Sequence, residues 1–287
     1  MIAVIWTLAR STFVEAKRRR IFLVVPIVTF AFLVLYTLGV IFAFHFTRGS
    51  IAQQSGRFVD SRAFAGATLV GLSMFATLFL GTVLGVFLTF SAVRGDAEQG
   101  VLQAFVVRPI GRSSVLLGRF VGASIAAGGY VVFLYAVAVA ITGVVGGWWP
   151  SDLWGPAVSL VGAVVVTITL SLLGSVFMAT IANGVTVLML YGAGLLGGLL
   201  GQIGYGLNSH ALQTAGKVAT WALPFEAAYQ AGLNALTSGT SGLTRVIVRL
   251  GPLGGAESGG YKLVAWVVGY VLLLGVAALV MFERRDL

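Results

Sequence analysis

The feature that most constrains this chain is an uncharged interval that runs from Asp152 to Lys217. As one continuous helix this interval would be roughly 95 Å long at 1.5 Å per residue, whereas about 20 helical residues suffice to cross about 30 Å of hydrocarbon. The interval must therefore fold back on itself. Asn183 and Gly184 form a turn dipeptide near its middle, which predicts a break there and spans over residues 153–182 and 185–204.

Four further intervals with little or no charge have the length of a membrane span. They cover residues 21–46, 64–93, 115–147 and 263–282. Charged residues make up only 9% of the chain and its mean hydropathy is +1.00, whereas about 25% of the residues of soluble domains are charged. The sequence therefore predicts an all-α integral membrane protein, in which residues 1–287 form a single transmembrane domain with six transmembrane helices.

Two segments differ from these spans. Residues 1–20 place apolar residues at three- and four-residue steps, which predicts an amphipathic helix lying in the membrane interface. A signal peptide is the competing interpretation, but charged residues interrupt the segment and it lacks a small-residue cleavage site. Residues 205–260 are glycine-rich and only partly apolar, and we expect them to be extracytoplasmic or to re-enter the membrane as short helices near residues 211–222 and 225–236.

Positively charged residues indicate the orientation of the chain. Lys and Arg are concentrated in residues 10–20, 94–119 and 284–285, and loops rich in these residues stay cytoplasmic. We therefore expect a multi-pass protein of the cell (inner or plasma) membrane with both termini in the cytoplasm. The net charge of +9 lies beside apolar runs, so it favours contact with membrane lipid and not with nucleic acid.

Residue patterns for catalysis are missing from the sequence. The segment that ends in Gly216, Lys217 and Val218 lacks the first glycine and the hydroxyl residue of a phosphate-binding loop, so we expect no nucleotide site and no enzyme activity in this chain. His45 and His210 are isolated and cysteine is absent, so no metal or cofactor site is expected. The predicted spans are essentially free of ionisable groups, which disfavours proton- or sodium-coupled transport. Active transport would need an external source of energy.

Glycines spaced by four favour close helix packing. The most suggestive set lies in the fifth predicted span, where it would support packing within the chain, a seam between two copies or a translocation path. It consists of Gly194, Gly197, Gly198 and Gly201.

A charged island over residues 94–119 separates the second and third predicted spans. Its five charges between Arg94 and Arg112 would cost roughly 12 to 18 kcal/mol at a bilayer centre, so the island lies outside the hydrocarbon. Residues 97–107 fit a short amphipathic helix that ends before Pro109. From spacing alone, an ordinary solvated loop fits equally well.

This island resembles the second cytoplasmic region of the ABC-2 family of ABC transporter permeases, with its motifs E-x-G-T-L, P-x-x-R and L-x-G-K. The matching residues are Glu98, Gly100, Leu102, Pro109, Arg112, Leu116, Gly118 and Arg119. Val101, Gln103 and Arg119 replace the usual threonine, glutamate and lysine. The chain also ends on a similar F-x-R-R-D tail, and Pro224, Phe225 and Glu226 resemble the NosY-like subgroup linked to copper-enzyme maturation.

The resemblance implies an exporter of the ABC-2, type V-like fold. Such a permease pairs with a second permease copy, identical or related, and with two ATPase subunits that bind ATP and Mg. It would move a hydrophobic or amphipathic substrate outward. Residues 94–112 would be its cytoplasmic coupling loop, with Glu98, Gly100, Leu102, Phe105, Pro109, Arg112 and Arg119 as the coupling residues.

Two other functions stay open at this point. One is a secondary transporter or channel that needs no ATPase. The other is a non-transporting membrane subunit that scaffolds a complex or transmits force to a partner at the outer face.

Overall fold

A computed structural model describes residues 21–47, 61–90, 92, 111–238 and 259–284. Six helices in these residues are long and apolar enough to cross a membrane, which confirms the predicted all-α fold with six spans. These helices are α1 (Ile21–Thr47), α2 (Ser61–Thr89), α3 (Arg112–Gly146), α4 (Trp154–Phe177), α5 (Thr180–Gly206) and α8 (Gly260–Glu283). Two shorter helices, α6 (His210–Ala222) and α7 (Pro224–Leu236), lie between α5 and α8.

Helix α4 is the centre of the bundle. It packs against α2, α3, α5, α7 and α8, and its side chains are buried on several faces. The hydroxyl groups of Thr167, Thr169 and Ser175 donate to carbonyl oxygens of α4 itself, at 2.7 to 2.8 Å. Hydroxyl groups in an apolar interior need such partners, so these three residues are compatible with the buried position of α4.

Glycines allow α2 to lie close to the helices beside it. A Cβ added at Gly81 would collide with Val131 of α3, and a Cβ added at Gly85 would come within 2.7 Å of Ile168 of α4. Helix α1 packs at the periphery, against α2 and α3. It is held partly by a 2.6 Å hydrogen bond between the hydroxyl groups of Tyr36 and Thr142.

The predicted break at Asn183 and Gly184 is wrong. The chain folds back earlier, where Met178 is extended at φ −98° and ψ 151° and ends α4. Asn183 lies within α5, fully buried, and its Nδ2 donates to the carbonyl oxygens of Phe90 at 3.1 Å and Ser171 at 2.9 Å. Its amide therefore forms tertiary hydrogen bonds instead of a turn.

The two short helices predicted between α5 and α8 are present. The expected ranges of 211–222 and 225–236 compare with His210–Ala222 for α6 and Pro224–Leu236 for α7. Leu223 joins them, and the pair is called the hairpin below. The interfacial helix predicted over residues 1–20, residues 94–110 of the coupling loop and residues 239–258 lie outside the described residues.

Candidate functional site

The turn of the hairpin lies alongside the spans and not beyond their ends. Phe225 contacts Gly194, which is twelve residues from the end of α5 at Gly206, or about 18 Å at 1.5 Å per residue. Tyr270 donates to the carbonyl oxygen of Ala222 and is ten residues, or about 15 Å, into α8. The start of α7 is therefore level with the interior of the bundle.

Helix α7 is buried despite its short length. Its 13 residues would extend about 20 Å, too little to cross roughly 30 Å of hydrocarbon. It packs mainly on α4 and also contacts α2, α5, α6 and α8. Gly232 permits this approach, because a Cβ there would come within 3.0 Å of Ser159 and 3.1 Å of Met74. The burial of α7 on so many sides makes it part of the core.

The glycine set predicted in α5 forms the seat of the hairpin. A Cβ at Gly194 would collide with the ring of Phe225, and a Cβ at Gly198 would collide with the carboxyl group of Glu226. On α6, a Cβ at Gly197 would collide with Ala219, whereas a Cβ at Gly201 would be in van der Waals contact with Gly216 at 3.4 Å. All four glycines thus lie against the hairpin, and a role in a translocation path stays a prediction.

Glu226 brings a carboxyl group into this seat. Its side chain is 5% exposed, and Gln230 Nε2 donates to its Oε1 at 2.8 Å. The other oxygen, Oε2, is buried and has no hydrogen-bond partner among the described residues. Burial raises the pKa of Glu226 to about 7, although the hydrogen bond from Gln230 acts in the opposite direction.

Aromatic residues of α7 on the same buried helix pack against α5 and α2. Phe225 stacks on Tyr191 of α5 with centroids 5.2 Å apart, and Tyr229 packs edge-on against Phe75 of α2 at 6.3 Å. The hydroxyl of Tyr229 also donates to the carbonyl oxygen of Gly71 at 3.4 Å. The hydroxyl of Tyr191 is buried and has no partner among the described residues. Phe225 and Tyr229 are therefore held in the interior of the bundle, on the same helix as Glu226.

Sequence reasoning missed this site. Glu226 was named only in the resemblance to the NosY-like subgroup, and its segment was expected to be extracytoplasmic or re-entrant. The available signal was the apolar spacing of Phe225, Ala228, Tyr229 and Leu233, which marks a buried face that includes the first turn of α7.

Helix α8 supplies hydrogen bonds to the end of α6. Trp266 Nε1 donates to the carbonyl oxygen of Trp221 at 3.0 Å. The hydroxyl of Tyr270 donates to the carbonyl oxygen of Ala222 at 2.8 Å. The last carbonyl groups of a helix lack partners within it, and Pro224 has no N–H group to supply one. Donors from α8 make this helix end compatible with an apolar environment.

A second polar contact lies at the opposite end of the bundle. The buried amide of Asn183 joins the end of α2 at Phe90, the Ser171 turn of α4 and the first turn of α5. The ring of Phe90 also lies against Gly184, where an added Cβ would come within 3.3 Å of it. Three helices thus meet at one side chain, immediately before the charged island.

The structure covers only part of the predicted coupling residues. Arg112 is the first residue of α3, and Arg119 lies two turns further along it, half-buried. The other predicted coupling residues, Glu98, Gly100, Leu102, Phe105 and Pro109, lie outside the described residues, and their role stays a prediction. In the part of the chain that is described, no group of three or more His, Cys, Asp or Glu residues could hold a metal ion.

Comparison with known proteins adds two relatives. A Pseudomonas aeruginosa protein named probable ABC transporter permease protein NosY is 29% identical over 119 residues, which are 42% of this chain and 38% of that protein. A Stutzerimonas stutzeri protein of the same name is 39% identical over 56 residues, 20% of each chain. The chain thus spans well under half the length of the curated relatives it matches.

The match to a family is far more extensive. Residues 6–287 match the family described as ABC-2 family transporter protein, so the match includes all eight helices described above and the charged island between α2 and α3. The chain belongs to the ABC-2 family of transporter proteins.

Proposed function

We propose that this chain is the membrane-spanning permease subunit of an ABC exporter. Two separate ATPase subunits would bind ATP and Mg at its cytoplasmic face, and a second permease copy would complete the transporter. The observation that carries this proposal is the family match over residues 6–287, together with two relatives named as ABC transporter permeases.

The contacts at Asn183 supply a mechanical route for coupling. A push by the ATPase on residues 94–112 would reach the end of α2 and the start of α3. Asn183 would pass the movement of Phe90 on to α5, because its amide bonds the last turn of α2. Helix α5 contacts the hairpin at Gly194 and Gly198, so a shift of α5 would change the packing between them.

We further propose that the hairpin re-enters the membrane from the outer face. Its turn lies about 15 Å along α8, and the α6 carbonyl groups there are satisfied by donors from α8.

An apolar cavity of about 150 Å³ lies between α3, α4 and α8. It is lined by Leu116, Phe120, Leu172, Val271 and Leu279, which favours a hydrophobic or amphipathic substrate.

The coupling assignment is tested with the double variant Glu98→Ala/Phe105→Ala. The full chain is co-expressed with its ATPase, purified, and assayed for ATP hydrolysis stimulated by candidate compounds. We expect stimulation to be lost while folding is preserved. Phe58→Ala/Asp60→Ala is the matched control, because it also removes one phenylalanine and one acidic residue, from the loop predicted on the other side of the membrane. Normal stimulation in a well-folded Glu98→Ala/Phe105→Ala complex would overturn the assignment.

A second candidate is a subunit that transmits force to an outer-face partner without transport. The packing of the hairpin favours it, because α6 and α7 occupy the glycine face of α5 that a path along this helix would need. The two functions differ in whether ATP turnover by the complex moves any solute or lipid.

A further inference from the structure

The interior of this bundle contains a carboxyl group that no span contributes. Glu226 comes from α7, and its Oε2 is buried without a partner among the described residues. Its one hydrogen bond comes from the neutral amide of Gln230. A buried carboxylate is stable only when it is paired or fully hydrogen-bonded, and otherwise it takes up a proton.

The helices around α7 provide no positive charge to pair with this carboxyl group. Helices α2 and α4 carry one titratable side chain between them, Arg62 at the exposed start of α2. Lys217 of α6 and Lys262 of α8 are exposed, as is His210 at the start of α6. Among the described residues, the titratable groups that interact electrostatically with Glu226 are Tyr191 of α5 and Tyr229 of α7, which are neutral phenols.

Movement of the hairpin would change these surroundings. Glu226 is 5% exposed and its carboxyl group lies against Gly198 of α5, while the preceding Phe225 lies on Gly194. If α7 withdraws from α5, the carboxyl group gains water, and the charged form is no longer disfavoured by burial. Proton binding and packing of the hairpin are therefore linked.

We propose that Glu226 is a proton-binding site that holds a proton while α7 lies on α5 and releases it to water when the hairpin withdraws. In binding, hydronium gives its proton to the carboxylate, leaving water and a neutral carboxylic acid. Release is the reverse. A neutral acid retains Oε1 as the acceptor for Gln230.

The raised pKa supports this proposal. Burial brings the pKa of Glu226 to about 7, so both forms are populated near neutral pH. An exposed glutamate, with a pKa of 4.5, would be ionised throughout that range.

The proposal is tested by infrared spectroscopy of the full chain in lipid nanodiscs. We expect the carbonyl stretching band of a protonated carboxylic acid at about pH 6, where ordinary carboxyl groups are ionised. This band should disappear with a midpoint near pH 7 and be absent from Glu226→Gln. Asp152→Asn is the matched control, since Asp152 accepts two backbone N–H groups at 3.0 Å at the start of α4, and it should keep the band.

The link to hairpin movement needs a distance measurement. Cysteine is absent from the chain, so spin labels can be attached at Val144→Cys on α3 and Val218→Cys on α6, whose side chains are 80% and 63% exposed. We expect the distance distribution to shift as the band disappears, and to remain at its low-pH form in Glu226→Gln.

Three results would overturn the proposal. They are the absence of the band in the wild type, the same band in Glu226→Gln, and a pH-dependent distance shift that persists in Glu226→Gln. Because the isolated chain is used, none of these results depends on an ATPase partner, and failure of this proposal is distinguishable from failure of the proposed function.

Discussion

Raising the pH should destabilise the folded chain through Glu226. Its pKa is about 7 when folded, against 4.5 for the unperturbed group, so the folded state binds more protons between these values. Stability therefore falls as the pH rises from 4.5 towards 7, and the contribution present at low pH is lost above 7. At 1.36 kcal/mol for each pKa unit, the loss is about 3 kcal/mol.

The assay is denaturant unfolding of the full chain in lipid nanodiscs, followed by tryptophan fluorescence at about pH 5 and about pH 8. The quantity compared is the difference in unfolding free energy between the two pH values. We expect the wild type to lose about 2.5 kcal/mol more than Glu226→Gln across this interval, because glutamine does not titrate and about 0.8 kcal/mol of the full loss has already occurred at pH 5. Asp152→Asn should behave as the wild type does.

Equal losses of unfolding free energy in Glu226→Gln and the wild type between the two pH values would contradict this prediction. Equal losses would mean that Glu226 keeps the same protonation behaviour when folded and when unfolded. Its burial against Gly198 would then not exist in solution.

Three other perturbations test the packing of the bundle. Asn183→Leu, which is similar in volume, should lower the unfolding free energy by about 1 to 3 kcal/mol, because the Phe90 carbonyl loses its amide donor. Gly198→Ala should lower the thermal midpoint because its Cβ meets Glu226. The control Gly192→Ala has open space among the described residues, so its unfolding free energy should be unchanged or rise by up to about 1 kcal/mol. Tyr270→Phe should cost about 1 kcal/mol and speed hydrogen exchange in α6, because the Ala222 carbonyl loses a donor, while Tyr261→Phe at an 80% exposed position should change neither.

The spans were readable from the sequence because charge is excluded from hydrocarbon at a high energetic cost. Residues 21–46 correspond to α1 at Ile21–Thr47, and residues 263–282 correspond to α8 at Gly260–Glu283. Such a pattern depends on each segment alone, so no knowledge of neighbouring helices was needed.

The position of the fold-back was not readable in this way. An Asn-Gly dipeptide favours a turn through local hydrogen bonds. Here the amide of Asn183 bonds carbonyl groups 93 and 12 residues away in the chain, and only the packed bundle brings those groups near. Tertiary contacts thus replaced the local preference.

The same reasoning explains why the buried carboxyl group was missed. The expectation that the spans lack ionisable groups agrees with α4, which has none at all. Glu226 reaches the interior on a helix too short to span, and its depth depends on the contacts that α5 and α8 make with the hairpin. The composition of the spans therefore does not reveal an ionisable side chain that a short helix places between them.

Helix α5 connects the two polar sites of the described bundle. Asn183 in its first turn and Gly198 beneath Glu226 are fifteen residues apart, about 22 Å along one helix. If α5 moves as a rigid body, a displacement at Asn183 is transmitted to the glycines that contact the hairpin. A displacement at those glycines is likewise transmitted back to the end of α2. Under the proposed function, ATP-driven force enters at the first site and proton binding acts at the second. Both would bias the same element, which is the physical requirement for coupling between distant sites.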